Sequence, residues 1–484
     1  MERLRLPLLL VVALLLPVRL AGAQSIGRVV QQTASDPRRR GARIGVHVVA
    51  AASGRVIYSH RATESFIAAS NQKLIMAATA LQVLGPDYEF STGLYAAGPV
   101  RSGALHGDII LRGGGDPTIG GRYDEEDAAT VFARWAGRMK SRGITRVTGD
   151  VVGDDLLFDQ TYYHPNWSEQ QAWKWYFPPV SALSINDNCV MVTVEPGVSA
   201  GQEAQVSLDP PVAPVKLDIT CETAAQRHVI WFARRAGSRT VRVGGNVRLG
   251  SSGYSHRVTV PEPSLYAAST LAYVLQREGI RLDGTVRLAP SDERGRWRNA
   301  RLLAERRTPM LPVLRTAVQR SHNHYAEQII KTVGAESDGH GSWETGLARA
   351  AALLAEMGVQ AHEFHLDDGS GLSRENLLSP ATLTTLLLRM RRSPRGELFA
   401  SLLARPGQPG TLHARLTDPP YRGSVRAKTG YLNGVGALSG YATARSGVEV
   451  AFSILVTDPE NPPGSYSMRE TVDGICRAIV DHAR

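Results

Sequence analysis

Strand patterns near both ends of the chain constrain the fold more than any other feature. Five segments are rich in β-branched and aromatic residues, and each is bounded by turn residues: 43–52, 55–59, 424–428, 435–444 and 448–456. The first two surround Ser53-Gly54 and predict a β-hairpin, and the last three predict antiparallel strands followed by a final helix. Together they would supply one five-stranded antiparallel sheet, which requires the two ends to form one domain around an interruption.

The interruption is predicted to be a mainly β insertion at 98–261, because short apolar stretches alternate there with Gly, Pro and Asn clusters. Helical periodicity returns in five later segments: 264–278, 311–318, 326–333, 343–357 and 380–391. We therefore predict an α/β fold of the α+β type. Its main domain would comprise 24–97 and 262–484, with helices flanking the sheet.

The first 23 residues have the pattern of a secretory signal peptide. Arg3 and Arg5 precede the apolar run 6–16, and Ala21-Gly22-Ala23 supplies small residues for cleavage. No later stretch is long and apolar enough to span a bilayer. We expect a periplasmic or otherwise exported protein without a transmembrane anchor.

The net charge is +10, and it becomes +8 once residues 1–23, with three arginines and one glutamate, are removed. This charge would draw an exported protein to anionic cell-wall polymers, and it allows peripheral contact with lipid headgroups. Nucleic acid is not expected as a partner, because the basic residues are dispersed.

Three cysteines are present. Cys189 and Cys221 could pair in an oxidising compartment, and the sequence leaves open whether they do. Cys476 is predicted to be a buried free thiol, because it adjoins an apolar stripe at helical spacing.

Ser70 and Lys73 lie three positions apart at the start of a segment rich in Leu, Met and Ala. On a helix this spacing places the hydroxyl and the amine on one face, where they could act as nucleophile and base. The pattern alone is also consistent with a serine that merely caps an amphipathic helix. Its meaning therefore depends on other motifs.

Two further motifs follow in order: Ser321-His322-Asn323 and Lys428-Thr429-Gly430. This triplet of motifs is characteristic of penicillin-binding proteins and serine β-lactamases. Ser184-Ile185-Asn186 also matches the middle motif, but its Pro, Asn and Asp neighbours indicate a turn. Ser321 and Asn323 are favoured because they fall where one predicted helix ends and the next begins.

Each residue type suits a step of acyl transfer. Ser70 would attack a carbonyl, and Lys73 could accept its proton only when neutral, which requires a pKa below the ordinary value of about 10.4. Burial and the charge of Lys428 would both favour this. Ser321 could pass the proton to the leaving amine, and Asn323 could donate to a substrate amide.

The late motif would bind the substrate. Lys428 and Thr429 are expected to bind a terminal carboxylate, and Gly430 would let the substrate backbone approach closely. The backbone N–H groups of Ser70 and Tyr431 are candidates for an oxyanion hole.

Other candidate sites in the sequence have weaker support than these three motifs. The glycine run 113–115, before Asp116-Pro117, is read as a structural loop, with a binding site as the alternative. His322, His324 and the cluster His362, His365, Asp367 and Asp368 make a metal site conceivable, but no complete ligand set has recognisable spacing. We expect neither metal nor cofactor.

With these motifs, the chain resembles the class C low-molecular-mass penicillin-binding proteins, the D-alanyl-D-alanine carboxypeptidase/endopeptidase family. Other matching phrases are Gly113 to Pro117, Val180 to Ser184, Asp368 to Ser373 and Ala427 to Gly430. The family has a large insertion between its first two motifs, as this chain does between Lys73 and Ser321, and β-lactamases lack it. His322 departs from the small polar residue that the family often has there.

The resemblance implies catalytic roles for Ser70, Lys73, Ser321, Asn323 and Lys428. It also implies that Asp368 to Ser373 form a structural loop near the site and that Leu432 borders a pocket for the stem-peptide side chain. The expected substrates are peptidoglycan peptides and the expected inhibitors are β-lactams. A β-lactamase-like hydrolase and a non-catalytic peptidoglycan-binding protein remain as alternatives, and the sequence does not separate carboxypeptidase from endopeptidase.

Overall fold

The computed structural model describes residues 25–39, 41–458 and 467–484, and these divide into two compact units. The predicted signal peptide lies outside the described residues. The first unit contains the described residues up to Gln82 together with Leu314–His322 and Leu347–Arg484. The second contains Val83–Val313 and Asn323–Gly346.

The first unit is built on a five-stranded antiparallel sheet, as the sequence predicted. Its strands, in spatial order, are Val56–His60, Arg43–Ala50, Glu449–Thr457, Val435–Thr443 and Val425–Leu432. Val46 pairs with Ile454, so the first long strand joins the hairpin to the three late strands. The two ends of the chain therefore share one sheet.

Helices cover both faces of this sheet, because alternate residues of a strand point to opposite sides. Met468–His482 lies against the face that carries Gly436, where an added Cβ would lie 3.1 Å from the Met468 Cβ. Pro380–Arg392 covers the other face, where the Thr384 hydroxyl lies 2.6 Å from Nδ1 of His47. Cys476 is a fully buried free thiol under the sheet, as predicted.

The remaining helical and strand segments of the first unit are short or cross its boundary. The helices are residues 25–34, Gln72–Val83, Met310–Gln319, Trp343–Glu356, Gly396–Ser401 and Tyr421–Ser424. Short 3₁₀ turns occur at Pro37–Arg39, Ala69–Asn71 and Ala361–Glu363, and a small sheet joins Phe364–His365, Leu377–Leu378 and Phe66–Ile67.

The second unit is larger than the predicted insertion at 98–261. Its boundaries move outward because Glu89–Ala97 pairs along its length with Arg301–Pro309. These strands extend a five-stranded sheet with the order Val286–Leu288, Val151–Asp154, Asp108–Arg112, Glu89–Ala97 and Arg301–Pro309. The first three strands of that order run parallel to each other.

Three smaller sheets complete the β content of the second unit. They consist of Gln205–Asp209, Cys189–Glu195 and Tyr254–Thr259; of Lys216–Ala224, Thr240–Arg248 and Val229–Ala233; and of Arg281–Leu282, Arg146–Val147, Ala104–Leu105 and Val100–Arg101. The helices are Ala128–Ser141, Pro263–Arg277 and Asn323–Asp338.

Helix Ala128–Ser141 lies within the region that the sequence predicted to be mainly β. Asp127 caps it by accepting a hydrogen bond from the Thr130 backbone N–H at 2.6 Å. Phe132, Trp135 and Met139 recur at helical spacing and are buried, so the helix is held by its apolar face.

Cys189 and Cys221 are free thiols, so the disulfide that the sequence allowed does not form. Cys189 lies opposite Thr259 in one small sheet, whereas Cys221 lies opposite Gly245 in another. Cys221 belongs to the apolar core of the second unit, and Cys189 is also buried.

The glycine run is required by backbone packing. An added Cβ on Gly113 would lie 2.2 Å from the carbonyl oxygen of Ala182, and one on Gly114 would lie 2.1 Å from that of Ser91. No helix among the described residues has the length and apolarity needed to cross a membrane.

Candidate active site

The predicted nucleophile lies in a strained turn at the start of a helix. Ser70 is the middle residue of the 3₁₀ turn Ala69–Asn71, which runs directly into helix Gln72–Val83. Ala69 has a φ of +45°, a left-handed value that is unfavourable for a residue with a Cβ. Such strain persists only where the surrounding contacts hold it.

Lys73 contacts Ser70, as their spacing predicted. Its Nζ donates to the Ser70 hydroxyl oxygen at 3.1 Å and to the carbonyl oxygen of Ser370 at 2.6 Å. The Lys73 side chain is fully buried although it carries an amine. The contact joins a hydroxyl to a desolvated amine, which is the pairing that nucleophile activation requires.

The carbonyl of Ser370 is a partner that the motifs did not reveal. It belongs to a loop organised by the buried Asp368 carboxylate, which accepts from the backbone N–H groups of Gly371 at 2.6 Å and Ser373 at 2.7 Å. The Asn376 side-chain amide also donates to Asp368, at 2.9 Å. Asp368 thus fixes the loop that presents Ser370 to Lys73.

This loop packs directly on the nucleophile turn. Gly371 has a φ of +81°, and an added Cβ there would lie 1.8 Å from the carbonyl oxygen of Ala69. The Ala68 N–H donates to the Asn376 carbonyl at 3.0 Å. The resemblance implied a structural loop near the site at Asp368 to Ser373, and the structure puts that loop in contact with the turn.

Lys428 brings a second buried amine into the first unit. Its Nζ donates to the hydroxyl oxygen of Ser321 at 2.9 Å and to the carbonyl oxygen of Thr429 at 2.8 Å. Burial lowers the pKa of Lys428 well below its ordinary value, and the charges of Lys73 and Arg415 lower it further. Ser321, with a φ of +57°, is held in a left-handed conformation beside this amine.

The rest of the late motif forms the edge of the sheet. An added Cβ on Gly430 would lie 3.1 Å from the Ala68 carbonyl oxygen and 3.2 Å from the Ala69 Cβ. The edge strand therefore packs closely on the nucleophile turn at this glycine, and its predicted role in the approach of substrate stays a prediction. Tyr431 is 56% exposed.

Thr429 and Leu432 flank those two residues. Thr429 is 8% exposed, and Leu432, the last residue of the strand, is half-buried. The ring centroid of Tyr431 lies 5.0 Å from the guanidinium carbon of Arg469.

Asn323 belongs to the second unit, where it begins helix Asn323–Asp338 and its side-chain amide donates to the Tyr176 carbonyl at 2.8 Å. Its role beside Ser321 stays a prediction. The rival motif at Ser184 and Asn186 is structural, because Ser184 donates to the Ser181 carbonyl and Asn186 donates to the Tyr266 hydroxyl.

The metal alternative gains no support. Within the described ranges, no group of three or more His, Cys, Asp or Glu side chains is placed to hold an ion. Nδ1 of His365, one of the candidate ligands, lies 2.9 Å from the Glu375 carbonyl oxygen.

Three features define the serine active-site fold of penicillin-binding proteins. They are a serine in contact with a buried lysine, a second lysine on the edge strand, and a five-stranded antiparallel sheet between helices. The chain belongs to the D-Ala-D-Ala carboxypeptidase 3 (S13) family, which matches residues 27–478. Membership confirms the predicted resemblance and the predicted class of enzyme.

Relatives of this chain span most of its length. It is 32% identical over 454 residues to a D-alanyl-D-alanine carboxypeptidase of Actinomadura sp. strain R39, covering 90% of this chain and 81% of that one. It is 25% identical over 405 residues to the D-alanyl-D-alanine carboxypeptidase DacB of Haemophilus influenzae, covering 82% of each chain. The crystal structure of penicillin binding protein 4 from Haemophilus influenzae has the same fold, with a TM-score of 0.80 and 23% identity over 94% of this chain and 98% of that one.

Proposed function

We propose that the protein is an exported serine DD-peptidase that hydrolyses the peptide bond after a D-alanine in peptidoglycan stem peptides, through an acyl-enzyme on Ser70. The family membership supports the reaction. The 3.1 Å contact between the Lys73 amine and the Ser70 hydroxyl is the observation that carries the assignment of residues.

In the first step, the Ser70 oxygen attacks the carbonyl carbon of the D-alanine, and its proton passes to neutral Lys73. Ester formation divides amide hydrolysis into two easier steps. The burial of both amines opposes their charged forms, and the repulsion between Lys73 and Lys428 opposes having both charged at once. The pKa of Lys428 is therefore lowered, first by burial and then by the charge of Lys73.

Ser321 is proposed to protonate the leaving amine. Its hydroxyl oxygen accepts from Lys428 Nζ at 2.9 Å, so charged Lys428 can replace a proton that Ser321 gives away. When the C–N bond breaks, the departing amine takes the Ser321 proton, Lys428 becomes neutral and Lys73 keeps the proton from Ser70. Water then attacks the ester carbonyl and passes a proton through Ser321 to Lys428, while the Ser70 oxygen leaves with the proton held by Lys73. Asn323 is proposed to donate a hydrogen bond to the substrate amide.

The edge strand is proposed to bind the substrate in an extended form, with the Tyr431 and Ser70 backbone N–H groups stabilising the oxyanion. Thr429 and Lys428 would receive the terminal carboxylate. Because Lys428 is fully buried, we expect Thr429, at 8% exposure, to make the direct contact. Leu432 at the end of the strand would border the side chain of the stem peptide.

Covalent labelling by a fluorescent penicillin tests the acyl-enzyme. We expect wild-type protein to take one stable label and Ser70→Ala to take none. Ser59→Ala, which changes an exposed serine on strand Val56–His60, is the matched control and should label normally. Labelling that persists in Ser70→Ala would refute Ser70 as the nucleophile, and rapid turnover of the penicillin would favour a β-lactamase-like hydrolase.

Muropeptide digestion tests the substrate. Mass spectrometry should show loss of a terminal D-alanine from pentapeptides if the protein is a carboxypeptidase, and conversion of cross-linked dimers to monomers if it is an endopeptidase. Muropeptides that bind but stay intact, together with absent labelling, would support the non-catalytic alternative.

A further inference from the structure

A cavity of about 380 Å³ in the second unit is lined by none of the residues assigned to the candidate active site. It forms at one edge of the five-stranded sheet, where the parallel strands Asp108–Arg112, Val151–Asp154 and Val286–Leu288 end. Three loops line it, and each follows one of these strands: residues 113–114, 156–157 and 294–298. The carboxyl ends of parallel strands are the usual place for a binding site in an open sheet of this kind.

Arginine dominates the polar lining of this cavity, which we call the arginine pocket. Arg112, Arg294 and Arg298 line it, against one carboxylate, that of Asp154. Arg112 donates to Asp154 at 2.7 Å and lies 4.9 Å from the ring centroid of Tyr95, so this carboxylate is already paired. Arg294 and Arg298 have no further carboxylate among the residues that line the pocket.

The other two arginines are held differently. Arg294 donates to the carbonyl oxygen of Leu156 at 2.6 Å, which fixes its guanidinium at the wall of the pocket. Arg298 lies over Gly295, where an added Cβ would be 3.3 Å from its terminal nitrogen. Within the described part of the chain, no carboxylate lies within 4 Å of Arg298. A guanidinium with free N–H donors binds carboxylates and phosphates in a planar, paired geometry.

The pocket also has apolar walls. Tyr95, Leu156 and Leu157 line it beside the arginines. Its volume is within the range of roughly 300–1,000 Å³ that holds small organic ligands rather than a single ion. The combination suits a molecule with an apolar body and two acidic groups.

We propose that the arginine pocket is a second binding site for a short acidic peptide, whose carboxylates are received by Arg294 and Arg298. The identity of the peptide rests on the proposed function: a stem peptide of peptidoglycan carries D-glutamate, and its free carboxylates supply this chemistry. The second unit would then hold one stem peptide at a site that does not include Ser70. This gives the insertion a role in substrate retention.

Isothermal titration of the whole protein tests this with a probe that is not a DD-peptidase substrate. The tripeptide L-alanyl-γ-D-glutamyl-L-lysine has two carboxylates and no D-alanine to cleave. We expect wild-type protein to bind it at moderate salt, and Arg298→Gln to bind it about tenfold more weakly, as expected for loss of one charge-assisted contact. The analogue with D-isoglutamine, which lacks one carboxylate, should also bind more weakly to wild type.

Arg296→Gln is the matched control. Arg296 is in the same loop, is half exposed and pairs with Glu293, and it does not line the pocket. It should leave tripeptide binding unchanged although it alters the net charge equally. Arg298→Gln makes no change to a side-chain hydrogen bond of the fold, and an unchanged melting temperature would verify this.

Three results would overturn the proposal: no binding of the tripeptide to wild type, equal binding by the Arg298 and Arg296 variants, or binding of inorganic phosphate at Arg298 without the tripeptide. None of these depends on acylation of Ser70. Conversely, a protein that takes no penicillin label but binds the tripeptide through Arg298 would keep the arginine pocket and lose the proposed enzyme.

Discussion

Replacing Gly371 by alanine should displace the loop that orients Lys73. The residue has a φ of +81°, and its added Cβ would stand 1.8 Å from the carbonyl oxygen of Ala69 in the nucleophile turn. Since real Cβ contacts do not fall below 3.0 Å, loop and turn must separate by more than 1 Å. The neighbouring Ser370 carbonyl, which accepts from Lys73 at 2.6 Å, would move with the loop.

The magnitude follows from two contributions. A left-handed conformation costs an alanine about 1–2 kcal/mol. The separation would also break or stretch the 2.6 Å hydrogen bond from the Gly371 N–H to the Asp368 carboxylate. Hydrogen bonds to charged groups contribute about 1.5–3 kcal/mol, so the free energy of unfolding should fall by about 2.5–5 kcal/mol. A displacement of about 1 Å at the reacting groups should slow acylation by about 10²-fold.

Gly358→Ala supplies the control. Gly358 has a similar φ, +91°, and belongs to the same unit, but an added Cβ there has open space. Gly358→Ala should lower the free energy of unfolding only by the cost of the left-handed conformation, about 1–2 kcal/mol, and should leave the acylation rate unchanged. Denaturant unfolding and the rate of fluorescent-penicillin labelling measure both quantities. If the two variants lost equal stability and acylated at equal rates, the inferred contact between loop and turn would be refuted.

Three further results are expected. Burial and a neighbouring positive charge lower the pKa of Lys428, so the unfolded chain binds the Lys428 proton more tightly than the folded protein does. The melting temperature should therefore rise with pH between the lowered pKa of the folded protein and the ordinary value of about 10.4. Lys428→Met should flatten this rise and slow acylation more than 10²-fold. Ser321→Ala should slow acylation by about 10²–10⁴-fold, the usual contribution of a proton-transfer group. It should also lower the free energy of unfolding by about 1–3 kcal/mol in denaturant unfolding, because the buried Lys428 amine loses an acceptor. Thiol titration without reductant should find Cys189 and Cys221 free after denaturation and unreactive in the native protein, because both are buried, and a missing thiol would reveal a disulfide.

The sequence predicted the main sheet well because its evidence is local. β-branched and aromatic residues mark each strand, and turn residues bound it. The limits of the insertion were harder to predict, because the pairing of Glu89–Ala97 with Arg301–Pro309 joins segments that are far apart in the chain. Helix Ala128–Ser141 could have been found, because Asp127 and the spacing of Phe132, Trp135 and Met139 are standard helix signals.

At the candidate site, side chains were predictable and backbone groups were not. Ser70 and Lys73 adjoin because three residues span one helical turn, which a motif records directly. The Ser370 carbonyl leaves no residue-specific signal, since every residue has one. The close approach of the Ala68 carbonyl to Gly430 was not predicted either, because only the fold brings these two residues together. The arginine pocket could not be predicted from the sequence, because its arginines come close together only in the fold, where the parallel strands end.

The pairing of Val46 with Ile454 also determines when the protein can become active during synthesis. Ser70 and Lys73 emerge from the ribosome early. The loop Asp368 to Ser373, which accepts from Lys73, and the edge strand Val425–Leu432, which packs on the nucleophile turn, are both synthesised after residue 366. A sheet closed between such distant segments folds slowly. A chain cut short before Val425 would have its serine but neither Lys428 nor a closed sheet, so the topology withholds hydrolytic activity until synthesis is nearly complete.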